Sequence, residues 1–275
     1  WKRAGHDVHV FAGPPFPELE DGIPLHEIPN DNVFGQTPRE AFDPTSPFSM
    51  LNPLSLWELG VSRFGVFPDM QTFWLRLMRR WGEFQRRYRF DIVFDNQTLS
   101  WGLLGIQAMG VPVVSVIHHP LHIDREADFA IDHTLIKRVK RTLYFPLMMQ
   151  QTVAPRLAKI VTVSEASRVA TEKYFKIREK DVSVVYNGTD TEIFRPLPEV
   201  EKDTDLLFVG RTEDRKKGIG TMFEALSMLP DHVTLKIVDG RIPSHGLVPR
   251  LIRKFGLEGR IQIIDRMLTV PELVE

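Results

Sequence analysis

The chain predicts an α/β fold built on parallel sheets, and three observations carry that expectation. Short β-branched or apolar runs alternate with longer stretches of helical period, the pattern of βα units rather than of a sandwich or a bundle. The 275 residues fit two domains at roughly 150 residues each. An Asn187-Gly188 turn signal, then Pro196, Pro198 and the charged run 199–203, marks a connection between them. The expected organisation is an N-terminal domain over 1–190, a linker over 191–204 and a second α/β domain over 205–275.

Trp1 to Gly5 reads as a helix end closed by a left-handed glycine, followed by a strand over Asp7 to Ala12 and a short one near Leu25 to Ile28. A strand and helix are expected ahead of Trp1. From Pro29 to about Pro68 the chain is rich in Pro, Asn, Gly and aromatic residues without a clear period, which reads as a long functional or partner-facing loop with short helical turns. An amphipathic helix follows from about Phe73 to Arg89. Strands are expected at 91–94, 113–117, 160–163 and 182–186, with helices between them. The second unit opens with a strand at 206–210. It continues through a helix from Ile219, whose Met222, Phe223 and Leu226 share a face, a strand at 233–238, a helix over 247–255 and a strand at 261–264. Val270-Pro271-Glu272 reads as the start of another helix, with proline in its first turn.

Charge excludes one class of partner. With 35 Lys and Arg against 36 Asp and Glu there is no global basic field for nucleic acid, so any anion site is local. The absence of cysteine removes thiolate nucleophiles, disulfides and Cys-ligated metals. No apolar run approaches the roughly 20 residues of a membrane span, and a cytoplasmic protein is expected.

Three segments carry candidate chemistry. Gly210-Arg211-Thr212-Glu213-Asp214-Arg215-Lys216-Lys217-Gly218 lies between a strand and a helix start, where unpaired N–H groups and the positive dipole end suit an anion, commonly a phosphate. The same run also reads as a solvated charge cluster. It is neither a Walker loop nor a complete dinucleotide fingerprint, which weighs against an NAD(P) oxidoreductase. Ile117-His118-His119-Pro120-Leu121-His122 closes a strand at the end where open α/β sheets bind ligands. Its histidines, with Asp124, also permit a metal reading, opposed by Pro120 between His118 and His122. The helix over 73–89 sets Arg76, Arg79, Arg80, Arg86, Arg87 and Arg89 against a single acid, Glu83. Its arginines are either the solvated back of a core helix or a peripheral contact with an anionic membrane at its inner face.

Taken in order, Gly5-His6-Asp7-Val8, Val163-Ser164-Glu165, Asn187-Gly188-Thr189-Asp190 through Phe194-Arg195-Pro196, and Gly210-Arg211 through Lys217-Gly218 resemble glycosyltransferase family 4 over nearly the whole chain. The resemblance implies a GT-B fold of two Rossmann-like domains and a retaining, metal-independent transferase that takes a nucleotide-diphosphate sugar as donor and needs no cofactor. It also implies truncation at both ends and an inactive fragment. Arg211 and Lys217 would hold the donor diphosphate, with Lys216 as the alternative and Gly210 beside them. His118 would contact the donor sugar, with His119 next to it. The acceptor is unassigned. A non-catalytic nucleotide-sugar or phospholipid-binding module is the other reading, since it would keep the basic loop without turning over donor.

Overall fold

The computed structural model describes residues 1–30, 52–63, 67–131, 134–144 and 146–274, which form two compact units, Trp1–Asn187 and Gly188–Glu275. All sheets are parallel.

In the first unit β1 (Val10–Ala12) pairs with β2 (Leu25–Glu27), and β3 (Val93–Asn96), β4 (Val113–Ile117), β5 (Lys159–Thr162) and β6 (Val182–Val184) form a four-stranded sheet in that order. Sequential neighbours joined by helices are what parallel crossovers produce. Strand β4 is the most buried: Val113, Ser115 and Ile117 face the interior and the intervening residues are half-buried. The helices are α1 (Pro53–Arg63), α2 (Asp69–Tyr88), α3 (Trp101–Ala108), α4 (Leu121–Ile131), α5 (Leu135–Tyr144), α6 (Leu147–Val153) and α7 (Glu165–Phe175). A cavity of about 920 Å³ is lined by β1 on one side and β3 on another, with Phe73, Trp74, Leu77 and Trp81 of α2 also in its wall.

The second unit holds β7 (Leu206–Val209), β8 (Leu235–Asp239) and β9 (Ile261–Asp265), with α8 (Ile219–Ser227), α9 (Leu247–Phe255) and α10 (Val270–Val274). Ile219, Phe223 and Leu226 of α8 pack with Leu235 and Ile237 of β8 and Val248 and Leu251 of α9. The alternation of apolar residues that defines these segments in the sequence is the one that fills this core.

Three expectations are corrected. The segment 29–68 contains a helix of three turns, α1, where short turns were expected; residues 31–51 and 64–66 lie outside the described residues. Pro53 sits at the first position of α1, where its missing N–H is harmless. Helix α2 begins at Asp69, four residues earlier than its apolar stripe suggests, and that stripe (Trp74, Leu77, Trp81, Phe84) is buried in the core. Arg76 is no membrane contact. Its guanidinium is largely buried and paired in a fork with the buried Glu58 of α1, one arm at 2.8 Å. Arg79, Arg80, Arg86 and Arg87 are exposed, with Arg80 over the Phe84 ring and Arg87 over the Tyr88 ring.

Candidate functional site

Residues with candidate chemistry gather at two places, one in each unit. In the first they stand at the C-terminal ends of β3 and β4, adjacent strands whose register sets Asn96 beside Val116. His118 follows β4 directly and is exposed. Its Nε2 lies 2.8 Å from Asn96 Oδ1, so with the carboxamide oxygen accepting, Nε2 carries the proton and Nδ1 is left as an acceptor.

Gln97 clamps the backbone of the same turn. Its Oε1 accepts the N–H groups of His118 at 2.6 Å and His119 at 3.4 Å, and its Nε2 donates to the His119 carbonyl at 2.8 Å. From α7, Ser167 Oγ donates to the His118 carbonyl at 2.6 Å. Gln97 and Leu99 both adopt left-handed backbone angles, φ 60° and 49°. Such conformations cost free energy in non-glycine residues and persist where surrounding contacts fix them. Here the fixing group is the buried Asp95 carboxylate, which accepts from Thr98 Oγ1, from the Leu99 N–H at 3.2 Å and from Ser115 Oγ at 2.7 Å. Burial pushes the Asp95 carboxyl above the usual carboxylate range, against the opposing pull of these hydrogen bonds.

The other two histidines engage different partners. His119 Nε2 meets Asp124 Oδ2 at 2.7 Å. His122 is buried against Tyr174 and Phe175, with its Nε2 3.0 Å from the Gln151 carboxamide nitrogen. The metal reading therefore loses a ligand, since His122 belongs to the core. Burial, followed by the nearby Arg125, holds the His122 ring below its ordinary value.

In the second unit the basic loop leaves β7 and enters α8. Gly210, at φ 148°, continues the β7–β8 ladder by donating its N–H to the Val238 carbonyl at 3.0 Å, in a region that side-chain-bearing residues avoid. Gly218, at φ 74°, stands as N-cap of α8. Between them Asp214 shapes the turn: its Oδ1 accepts the Lys216 N–H at 3.1 Å, its Oδ2 meets Arg211 Nη2 at 3.2 Å, and its carbonyl accepts the Lys217 N–H at 2.9 Å. The side chains of Arg211, Lys216 and Lys217 are exposed on this loop. Thr212, by contrast, is wholly buried and tied to Asp239 at the end of β8.

The loop is thus a basic surface riding on a buried polar anchor. Glu213 extends it by accepting the Leu247 N–H at the start of α9. Sequence alone assigns no role to Asn96, Gln97 and Asp239, nor to Thr212 and Glu213 within the basic loop. The signal that could have found them is the placement of polar residues immediately after predicted strands, where an α/β sheet collects its ligand-facing groups.

Residues 1–193 match the profile of Glycosyltransferase Family 4. The MMP α-(1→4)-mannosyltransferase of Mycolicibacterium hassiacum is 32% identical over 256 residues, covering 92% of this chain and 61% of that protein. Among solved structures, the sucrose-phosphate synthase of Thermosynechococcus elongatus superposes with a TM-score of 0.63 at 15% identity, over 99% of this chain and 63% of that one. Anabaena HepE in complex with UDP gives 0.55 at 17%, over 91% and 58%. The chain spans about three fifths of the length of these relatives. The α/β architecture with parallel sheets is of the GT-B type that these structures share. A profile match over most of the sequence, joined to that architecture, settles the kinship: this chain belongs to Glycosyltransferase Family 4.

Proposed function

We propose that the protein is a retaining glycosyltransferase that moves a hexosyl unit from a nucleoside-diphosphate sugar to a glycan, lipid or small-molecule acceptor. The observation that carries the reading is the loop from Gly210 to Gly218, which presents Arg211 and Lys217 at the entry to α8 while Thr212 anchors it from beneath. Cleavage of the bond between the sugar C1 and the diphosphate builds negative charge on the leaving group. Fixed cations and helix-end N–H groups stabilise that charge without having to reorganise as it forms. Arg211 offers a planar set of donors and Lys217 a compact charge. In this reading they carry the role that a divalent ion has in other transferases.

His118, its proton fixed on Nε2 by Asn96, acts on the donor sugar. The new bond forms between C1 and the acceptor oxygen on the face the diphosphate leaves, and the departing diphosphate takes the acceptor proton. Mannose is the donor sugar to try first, because the relative at 32% identity is a mannosyltransferase.

The test is turnover and nucleotide binding by the full-length enzyme. Arg211→Ala and Lys217→Ala should each lower turnover on the order of 100-fold, the loss expected when a donor to the transition state is removed. Turnover should persist in EDTA. Wild-type rates in both variants would overturn the loop assignment, and activity lost to EDTA and restored by Mn²⁺ or Mg²⁺ would overturn the metal-free mechanism. Binding of a nucleoside diphosphate with no turnover of any donor would mark a binding module.

A further inference from the structure

Helix α5 has its amphipathicity turned outward. Its sequence, Leu135-Ile136-Lys137-Arg138-Val139-Lys140-Arg141-Thr142-Leu143-Tyr144, contains four basic residues and no acid. At 100° per residue Leu135, Val139, Leu143 and Ile136 fall within one arc of about 100°, with the basic residues filling the rest. In a core helix that arc is buried, as it is in α2. In α5 it is open to solvent: Leu135 is 77% exposed, Ile136 73%, Val139 51% and Leu143 48%.

The contacts with α4 explain the orientation. Arg141 Nε lies 3.3 Å from Asp128 Oδ2, and the Arg138 guanidinium sits 5.0 Å from the centre of the Phe129 ring. Arg141 is on the side of the helix opposite the apolar arc, and Arg138 stands at its rim. Arg141 therefore ties the helix to α4 while the apolar arc stays open to solvent.

We propose that this arc is a docking surface for an anionic lipid bilayer. Its four apolar side chains would enter the headgroup boundary, and Lys140 and Arg138, at the two rims, have stems long enough to reach lipid phosphates. Charge selects this occupant over a second copy of the chain, because apposed α5 helices would bring eight cations together without an acid from either helix. No helix among the described residues is long and apolar enough to cross a membrane, so the contact is peripheral. It relocates the membrane contact from α2, whose stripe is committed to the core, and it stands independently of the proposed transferase activity.

Flotation of the 275-residue chain with lipid vesicles tests it. Binding is expected to vesicles of phosphatidylcholine with about 30 mol% phosphatidylglycerol, not to phosphatidylcholine alone, and should weaken as salt rises from about 0.05 to 0.5 M. The double variant Val139→Asp with Leu143→Asp should lower partitioning at least roughly tenfold, with an unchanged thermal melt because both sites are exposed. Reversing Arg79, Arg86 and Arg87 of α2 to glutamate should leave most of the binding intact. Equal partitioning of the Val139/Leu143 variant and the parent would overturn the proposal. So would a dimer seen by light scattering that this variant dissolves while vesicles bind neither protein.

Discussion

Thr212 gives both its backbone N–H and its hydroxyl to a single oxygen of Asp239, at 2.6 and 2.8 Å. Asp239 ends the central strand of the second unit's sheet, and its other oxygen accepts the Arg241 N–H at 3.1 Å. Burial alone would raise this carboxyl. The hydrogen bonds from Thr212, Arg241 and Gly240 outweigh it and hold the group below the usual carboxylate range. Asp239→Ala should strand the buried Thr212 N–H, a loss of about 1–3 kcal/mol, and loosen the loop that carries Arg211 and Lys217. Urea melts and titration with a nucleoside diphosphate should show reduced stability together with weaker binding. Unchanged values for both would separate the anchor from the loop.

The Asn96 to His118 contact makes a different kind of prediction. Asn96→Leu removes the partner and frees the tautomer. In the full-length enzyme it should lower kcat by on the order of tenfold while leaving KM for the donor nearly unchanged. A shift in KM alone would place Asn96 in binding rather than in orienting His118.

Much of the sheet framework was legible because its signal is local. The run Val113 to Ile117 is a strand with the expected limits, and Leu247 to Phe255 is a helix with the expected limits. The other strands shift by one or two residues, as at Val93–Asn96, where the paired segment runs on into Asp95 and Asn96, except β1, which starts three residues later than expected, at Val10. The basic loop and His118 were equally visible, since their residue types and their places after strands are sequence properties. What holds them was not. Asp239 is 27 residues from Thr212 and Gln97 is 21 from His118, separations at which no periodicity reports a partner. Helix α1 was hidden by Pro53, by Gly60 and by a flanking stretch poor in pattern. Arg76 misled for a related reason: the apolar period of α2 identifies its buried face, but only the fold brings Glu58 to the guanidinium.

The start of α10 supplies a test by titration. Glu272 accepts from the Thr269 N–H at 2.8 Å and from its hydroxyl at 2.9 Å, and pairs with Arg266 at 2.7 Å. The Arg266 hydrogen bond, followed by those from Thr269, pulls the Glu272 carboxyl down to about 2. A carboxyl whose folded value lies below its unfolded value of about 4.3 stabilises the fold fully above that unfolded value. The contribution is lost as pH falls through 2. Carbon-detected NMR titration should find Glu272 still ionised at pH 3, and Arg266→Ala should move its midpoint upward. A midpoint near 4 in the parent would contradict the capped geometry.

His9 and His26 make the last prediction. Their rings stack 5.0 Å apart at 4°, with His9 Nδ1 2.7 Å from His26 Nε2, so one nitrogen must donate and the other accept. Tyr88 lies 4.4 Å from the His9 ring and Phe84 5.1 Å from the His26 ring, which joins β1 and β2 to the end of α2. Burial, followed by His9, Arg80 and Arg87, holds the His26 ring below its ordinary value. Asp7, 3.5 Å from His9 Nε2, is the acid facing the pair. Because the folded value lies below the unfolded one of about 6.5, the folded state binds fewer protons than the unfolded state in this window. The stability that neutral His26 supplies is complete above pH 6.5 and is lost as pH falls through that value. Thermal melts should therefore fall between pH 7 and pH 5, with amides of residues 10–12 and 25–27 exchanging faster at the lower pH. His26→Gln keeps a hydrogen-bonding group opposite His9 but cannot titrate, so it should flatten that fall. An equal fall in parent and variant would assign the acid sensitivity to other groups.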